Sequence, residues 1–449
     1  MTFTPYDNYK DSGMDWLGNV PAHWKMNRVK NVGNVNARVG WKALKASEYV
    51  DSGYFFLATP NIKGRKIDYD NVNYITHDRF IESPEIILQE NDILLAKDGS
   101  TLGIVNIVKH MPGPGTVNSS IAVMRFNKTL DNNYIYYQIA SEYIQNIIKL
   151  KKDGQGVPHL FQRDINNFLL VVPPLAEQAA IANYLDWQTA AIDKKTALLQ
   201  HKIATYLALR KAVINETVCR GLDKSAPLKD SGIEWIGQIP THWDVKRIKD
   251  VCAINPSTSK VWPTDSSNKV EFLPMTNIDE KFGTIKSYGF EDYNNVNQGY
   301  TAFRNGDILF AKITPCMENG NCVIVEGLKN DLGFGSTEFI VFRVLKKYLN
   351  TRYLHLFLRN ERFLRKAENF MVGTAGQKRI STSFLQVHPV AFPPLEEQIA
   401  IATYLDQKTQ AIDAAVANLN AQLSTLAELR KTLINEVVTG QIRVAMQGS

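Results

Sequence analysis

Two stretches of the chain carry apolar residues at a helical spacing sustained far beyond an ordinary globular helix. Leu185, Ile192, Leu199, Tyr206 and Val213 recur every seven residues, as do Leu405, Ile412, Leu419, Leu426 and Leu433. A seven-residue apolar period draws one continuous stripe along a helix that packs against another helix. The companion positions Thr189, Thr196 and Ile203, matched by Thr409, Val416 and Leu423, are less apolar, so the seam is less regular than a dedicated zipper. Each stripe opens on Pro-Pro-Leu and an acidic residue, Glu177 or Glu397. It closes on Arg210 and Lys211, or Arg430 and Lys431, with Gly221 or Gly440 just beyond. Those are helix start and stop signals. The pattern predicts two helices of roughly 40 residues, about 60 Å each, packed on one another.

Between them the pattern changes to alternation and β-branched runs. Residues 86–96, 103–109, 119–126, 270–273, 307–312 and 338–344 read as strands bounded by Gly, Pro and Asn turns, and 133–151 and 351–368 read as helices. The fold class expected is α+β: two mixed α/β domains and two long antiparallel helices, related by a pseudo-twofold internal repeat.

The repeat is explicit. YKDSGMDWLGNVPAHW at residues 9–24 returns as LKDSGIEWIGQIPTHW at 228–243, and PPLAEQAAIANYLDWQTAAID from Pro173 returns as PPLEEQIAIATYLDQKTQAID from Pro393. Between these blocks the halves agree only in islands, such as NDILLAKDG from Asn91 and NGDILFAKIT from Asn305. A constant frame thus holds two variable inserts. The expected boundaries are 1–172 and 222–392 for the two domains, 173–221 and 393–440 for the helices, and 441–449 for a tail. A dimerising coiled coil would carry the same stripe. Chain order favours an intramolecular antiparallel pair, a geometry that suits two separated half-sites on one DNA face.

Composition narrows the classes. At 449 residues with 44% hydrophobic and 21% charged positions, the chain is an ordinary globular one with more than one core. No apolar run is long enough for a membrane span and residues 1–10 hold no signal core, so a cytoplasmic location is expected. Cys219, Cys252, Cys316 and Cys322 form no CxxC pair, which predicts reduced thiols and no metal site. A net charge of +6 favours an anionic partner only mildly.

No GxxxxGK[ST] loop is present, nor a glycine-rich loop for S-adenosylmethionine. The Pro-Pro pairs follow Val172 and Phe392, and Asn255-Pro256-Ser257 lacks a second proline and a ring, so no adenine-methylating motif exists and no catalysis is expected. His23 and His242, each before a Trp, read as packing anchors. Glu177-Gln178 and Glu397-Gln398 read as helix-start residues. For contact with DNA the candidates are two polar loops just upstream of the helices, with Gln155 and His159 in the first and Gln377, Lys378 and Arg379 in the second. Lys97 and Lys312, at equivalent strand ends, join them. Gln can pair with adenine, and Arg and Lys suit guanine or phosphate. Asn61 and Asn277, in TPNI and MTNI, are candidates that serve equally as turn residues.

The doubled PPLxEQxxIAxYLDxxTxxID, the paired KDSGxxWxGxxPxHW and the ends ALRKAVINETV and ELRKTLINEVV resemble the two constant regions of the type I restriction-modification specificity subunits, the HsdS family. KITPCMENGN at 312–321 with GFGSTEFIVFR at 333–343 is similar to a common class of target recognition domain in that family. The resemblance implies that each insert reads one part of a split, asymmetric double-stranded DNA target. It implies that the helices act as ruler and docking platform for two methyltransferase subunits, to which restriction and motor subunits attach. S-adenosylmethionine, ATP and Mg would then be handled by those partners. A coiled-coil scaffold that reads no sequence is the alternative.

Overall fold

The computed structural model describes residues 4–14, 17–38, 44–64, 66–152, 158–257, 269–374 and 376–445. The stripes form helices Leu175–Arg220 and Leu395–Val438. The chain divides inside both of them, into one compact unit of Met1–Leu199 with Asn420–Ser449 and another of Gln200–Leu419. Each unit therefore holds one insert, the start of one long helix and the end of the other.

In the first unit, strands Gly33–Ala37, Ile121–Phe126, Ile93–Ala96 and Val105–Ile107 form an antiparallel sheet in that order. Beside it Tyr54–Leu57 pairs antiparallel with Asn73–Ile75 and parallel with Gly115–Val117. The second unit repeats the four-stranded sheet with Cys252–Ile254, Phe339–Val344, Ile308–Ala311 and Cys322–Ile324. Its second sheet runs Gly289–Asp292, Lys269–Leu273, Gly333–Gly335, Thr301–Phe303. The conserved island supplies a shared brace. Asp92, nearly fully buried, takes Arg125 through two bonds of 2.7 and 2.9 Å. Asp307 takes Arg343 through two of 2.7 Å. Each carboxylate also accepts a backbone N–H at its own turn, from Gln89 or Arg304, which offsets the cost of burying the charge.

The expected strand at 86–96 begins only at Ile93, because Pro84–Ile86 forms a 3-10 turn and Asn91 adopts a positive φ of 70°. The two expected domain helices are each broken in two. Ser141 separates Asn132–Ala140 from Glu142–Lys152, and Asn360 caps Glu361–Glu368 by accepting from the N–H groups of Arg362 and Phe363. Asn360 so starts the next helix, whereas the Ser141 hydroxyl donates to the Gln138 carbonyl at the end of the helix before it.

The repeated motifs interlock within each unit. Trp24 is fully buried and its indole N–H donates to Glu177 at 3.2 Å, while His23 lies 2.9 Å from the other oxygen and the Tyr6 hydroxyl also donates. Trp243 and His242 reproduce this at Glu397, at 3.2 and 2.7 Å. The neighbouring glutamine closes the helix start: Gln178 donates to the Pro173 carbonyl and accepts from the Asp131 N–H, and Gln398 does the same with Pro393 and Asn350. Strand Lys25–Arg28 pairs with Leu169–Val172, and Asp244–Arg247 with Pro389–Phe392, so each insert is pinned where it leaves the frame and where it returns.

The long helices run antiparallel in each unit. The Tyr134 hydroxyl donates to Val171, just before one helix, and to Val438, at the end of the other; Tyr353 does so with Ala391 and Val218. Farther along, Arg430 pairs with Asp193 in the first unit, and Arg210 with Asp413 at 3.0 Å in the second. The arginine of each repeated LRK therefore meets the aspartate of the opposite repeated ID. Leu185, Leu405, Ile412, Leu419, Leu426 and Leu433 are buried along this seam, whereas Leu199, Tyr206 and Val213 are only half-buried. The stripe of the first helix is tighter at its start than the sequence period suggests. Gly221 and Gly440 end the helices at φ of 76° and 77°. A Cβ on Gly440 would come within 2.3 Å of Pro21, so glycine serves both the turn and the close approach.

Replacing Glu177 with Ala leaves a buried indole N–H without an acceptor. The first unit should lose about 1–3 kcal/mol, read as a lower denaturation midpoint, and Glu177→Gln should restore part of the loss.

Candidate functional site

In the first unit the strand Ile93–Ala96 delivers Lys97 to a junction with the loop that follows residue 157. The Lys97 carbonyl accepts from Leu160 at 2.9 Å, the Gly99 N–H donates to Pro158 at 2.9 Å, and Asp98 bridges to His159. The Asp98 carboxylate then takes both neighbours: Lys97 Nζ at 3.2 Å on one oxygen and the His159 ring on the other. The His159 ring meets Phe161 edge-on at 4.5 Å, and the Arg163 guanidinium lies 5.0 Å over that phenyl ring. Phe161 and Arg163 are both exposed.

The second unit builds the same junction from different residues. The Lys312 carbonyl accepts from Ile380 at 2.9 Å, the Thr314 N–H donates to Lys378 at 3.0 Å, and Ile313 bridges to Arg379. Met371–Val372 and Arg379–Ile380 close a small hairpin, whose Gly373 has φ 139° and would place a Cβ 2.8 Å from the Gln377 carbonyl. Arg379 grips Glu338 through Nε and Nη2 at 3.0 and 2.8 Å. That grip, with the charge of Lys312 in addition, holds the Glu338 carboxyl below its ordinary range. Gln377, Lys378 and Arg379 are exposed.

The structure thus brings Lys97 together with His159, and Lys312 together with Gln377, Lys378 and Arg379. Gln155 lies outside the described residues. Three of these side chains are less available than their residue types suggest. Lys97 is only 12% exposed in its side chain and paired with Asp98, His159 shares that carboxylate, and Arg379 is committed to Glu338. Their arrangement orients the loops, leaving Gln377 and Lys378 outward. Asn61 and Asn277 are turn residues. Asn61 is buried, accepts from Ala58 at 2.8 Å and donates to Asn71 at 2.8 Å, and Asn277 donates to Ser287 at 3.0 Å. The sequence reading missed Asp98 and Glu338, the acids that anchor each junction, and the exposed Phe161 and Arg163. Asp98 was visible as the residue after Lys97; Glu338 is distant in sequence and had no local signal.

Among the described residues no group of His, Cys, Asp and Glu could hold a metal ion, and no helix is long and apolar enough to cross a membrane. All four cysteines are free thiols. A family model for the type I restriction modification DNA specificity domain matches residues 21–205 and 240–425. The chain belongs to this type I DNA specificity family. The EcoAI specificity subunit of a type I restriction enzyme from Escherichia coli is 35% identical over 204 residues, 45% of this chain and 34% of its own length. The match therefore spans about a third of that relative. The MjaVIII specificity subunit from Methanocaldococcus jannaschii is 26% identical over 455 residues, covering 99% of this chain and 98% of its own. Among solved structures, a chain from a study of complex assembly and conformational transition of the type I R-M system superposes with a TM-score of 0.69 at 17% identity, covering 93% of this chain and 98% of that one. The HsdS subunit from Thermoanaerobacter tengcongensis gives 0.52 at 18% identity, covering 94% and 98%. At these identities the likeness establishes the specificity-subunit fold.

The committed amide of Asn61 gives this site its first test. Asn61→Ala should cost the first unit about 2 kcal/mol, since three backbone partners lose a buried side chain. Once the variant is folded, its preference among DNA sequences should match that of the unaltered chain in a binding competition.

Proposed function

We propose that this chain supplies DNA sequence specificity to a type I restriction-modification complex. Each unit reads one part of a split target, and the chain itself performs no chemistry. The observation that carries this reading is the junction found in both units. A lysine at a strand end ties its backbone to the loop upstream of the long helix, while the loop residues differ, Pro158 to Phe161 in one and Gln377 to Arg379 in the other. A tether kept constant under changing side chains is what a reader needs if the frame is to stay fixed while the sequence read varies.

The partners follow from the same reading. Two methyltransferase subunits and the restriction subunits would dock on the chain and bring S-adenosylmethionine, ATP and Mg, and the assembly would act in the cytoplasm. Purified chain incubated with labelled S-adenosylmethionine and DNA should transfer no methyl group until methyltransferase subunits are added. A scaffold that reads no sequence would instead bind all duplexes alike.

Two substitutions separate phosphate contact from base reading. Lys378→Ala should weaken binding to every duplex about equally and lower the slope of log affinity against log salt by about 1. Gln377→Ala should cost about 1–3 kcal/mol on the preferred target and relax the preference at one position only. Equal loss on all sequences for Gln377→Ala would remove it from the reading surface.

A further inference from the structure

The second unit contains a cavity of about 640 Å³ between the long helix Leu175–Arg220, the helix Thr351–Leu358 and the segment 280–282. It is lined by four arginines, Arg210, Arg352, Arg359 and Arg365, and by apolar surface from Leu207, Phe282 and Leu356. Three of the guanidiniums have carboxylate partners: Arg210 pairs with Asp413 at 3.0 Å, Arg352 with Asp406 at 2.6 Å and Arg365 with Glu361 at 2.5 Å. Arg359 differs. Its Nη2 donates to the carbonyls of Glu280 and Lys281 at 2.7 and 3.1 Å, and among the described residues no carboxylate forms an ion pair with it.

The charge at Arg359 is therefore expensive. Burial lowers its pKa to about 10, with added repulsion from Arg210 and Arg352, and Cys322 and Asp279 offset only part. His355, fully buried in the same wall, is driven to about 3 by burial and by Arg359 and Arg352, so it stays neutral, its Nε2 donating to the Cys322 carbonyl at 2.9 Å and its Nδ1 accepting from Arg352 at 3.0 Å. Of the glutamates that also line the cavity, Glu361 is paired with Arg365, and Glu280, Glu318 and Glu368 are exposed to solvent, where water and salt screen them. Backbone has been shaped for the arrangement too. Gly283 sits at φ 67°, and any Cβ there would lie 1.5 Å from Arg359 Nη1.

This wall does not belong to the repeated frame. Counting from the equivalent tyrosines Tyr134 and Tyr353, Arg352 and Arg359 stand where the first half has Asn133 and Ala140. The helix pairing is achieved in the first unit without them, so helix pairing does not explain them.

We propose that the cavity binds a nucleotide-sized phosphate ester, whose phosphate supplies the anion that Arg359 lacks and whose base lies against Phe282, Leu207 and Leu356. The volume falls in the range of small-molecule sites, which combine an apolar lining with a few convergent polar groups. Arginine is the side chain best suited to a buried phosphate. Its wall includes Glu318, Asn319 and Gly320, a few residues beyond the Lys312–Thr314 junction, whereas Gln377 and Lys378 do not line it.

Calorimetric titration of the full chain with adenosine monophosphate, with inorganic pyrophosphate and with adenosine tests it. Adenosine monophosphate should bind once per chain, pyrophosphate more weakly for want of the base, and adenosine not measurably. Arg359→Met should weaken the monophosphate about ten-fold or more and leave duplex DNA affinity unchanged. Leu207→Trp, which fills the cavity without touching the arginines, should abolish binding in a chain whose DNA affinity is intact. No saturable binding, or binding that survives both substitutions, overturns the proposal. So does displacement of duplex DNA by the monophosphate with Arg359→Met weakening both, since the phosphate partner would then be the DNA backbone.

Discussion

The bond between a buried tryptophan and a first-turn carboxylate of a long helix is the constraint on which the rest of the molecule depends. Trp24 and Trp243 have no solvent contact and need an acceptor for the indole N–H; Glu177 and Glu397 provide it. Because the tryptophan precedes the insert and the glutamate follows it, that contact draws together two points about 150 residues apart in the chain. The strand pair beside it, Lys25–Arg28 with Leu169–Val172 and its counterpart in the second unit, fixes their register. What lies between is closed at its base whatever its sequence. That is a physical reason for a chain to hold constant blocks around variable ones.

Much of this frame was legible because its signals are local. The heptad stripe, the Pro-Pro-Leu starts and the glycine ends gave both long helices from spacing alone, and repetition marked which residues the frame uses. The pairing of those residues was not legible. Nothing in sequence says that Asp193 meets Arg430, or that the amide of Asn215 caps the helix beginning at Glu361 and that of Asn435 the one near Tyr143, since such contacts depend on two distant segments crossing. The same limit applied to the candidate site. Asn61 and Asn277 resembled polar readers by residue type, but their amides are used up in turns. Lys97 follows a strand end, as its sequence position suggested, but its ammonium is drawn to Asp98.

The two junctions also differ in the strength of their ion pairs. Asp98 is shared by a lysine and a histidine, whereas Glu338 receives a two-pronged guanidinium that fixes direction as well as charge. The first presents an exposed phenyl ring capped by Arg163, a combination suited to stacking and to phosphate rather than to paired hydrogen bonds. Two inserts built on one frame thus carry different chemistry at equivalent junctions, as the proposed reading of a split target calls for.

The central claim is that the frame is fixed and each insert reads on its own. Exchanging residues 29–168, the span between the paired strands of the first unit, for the matching insert of another family member tests this directly when the methylation pattern of the host genome is then mapped. The account predicts a new sequence in one part of the split target, with the part read by the second unit unchanged. Loss of all methylation from a folded, assembled complex, or a change in both parts together, would contradict it.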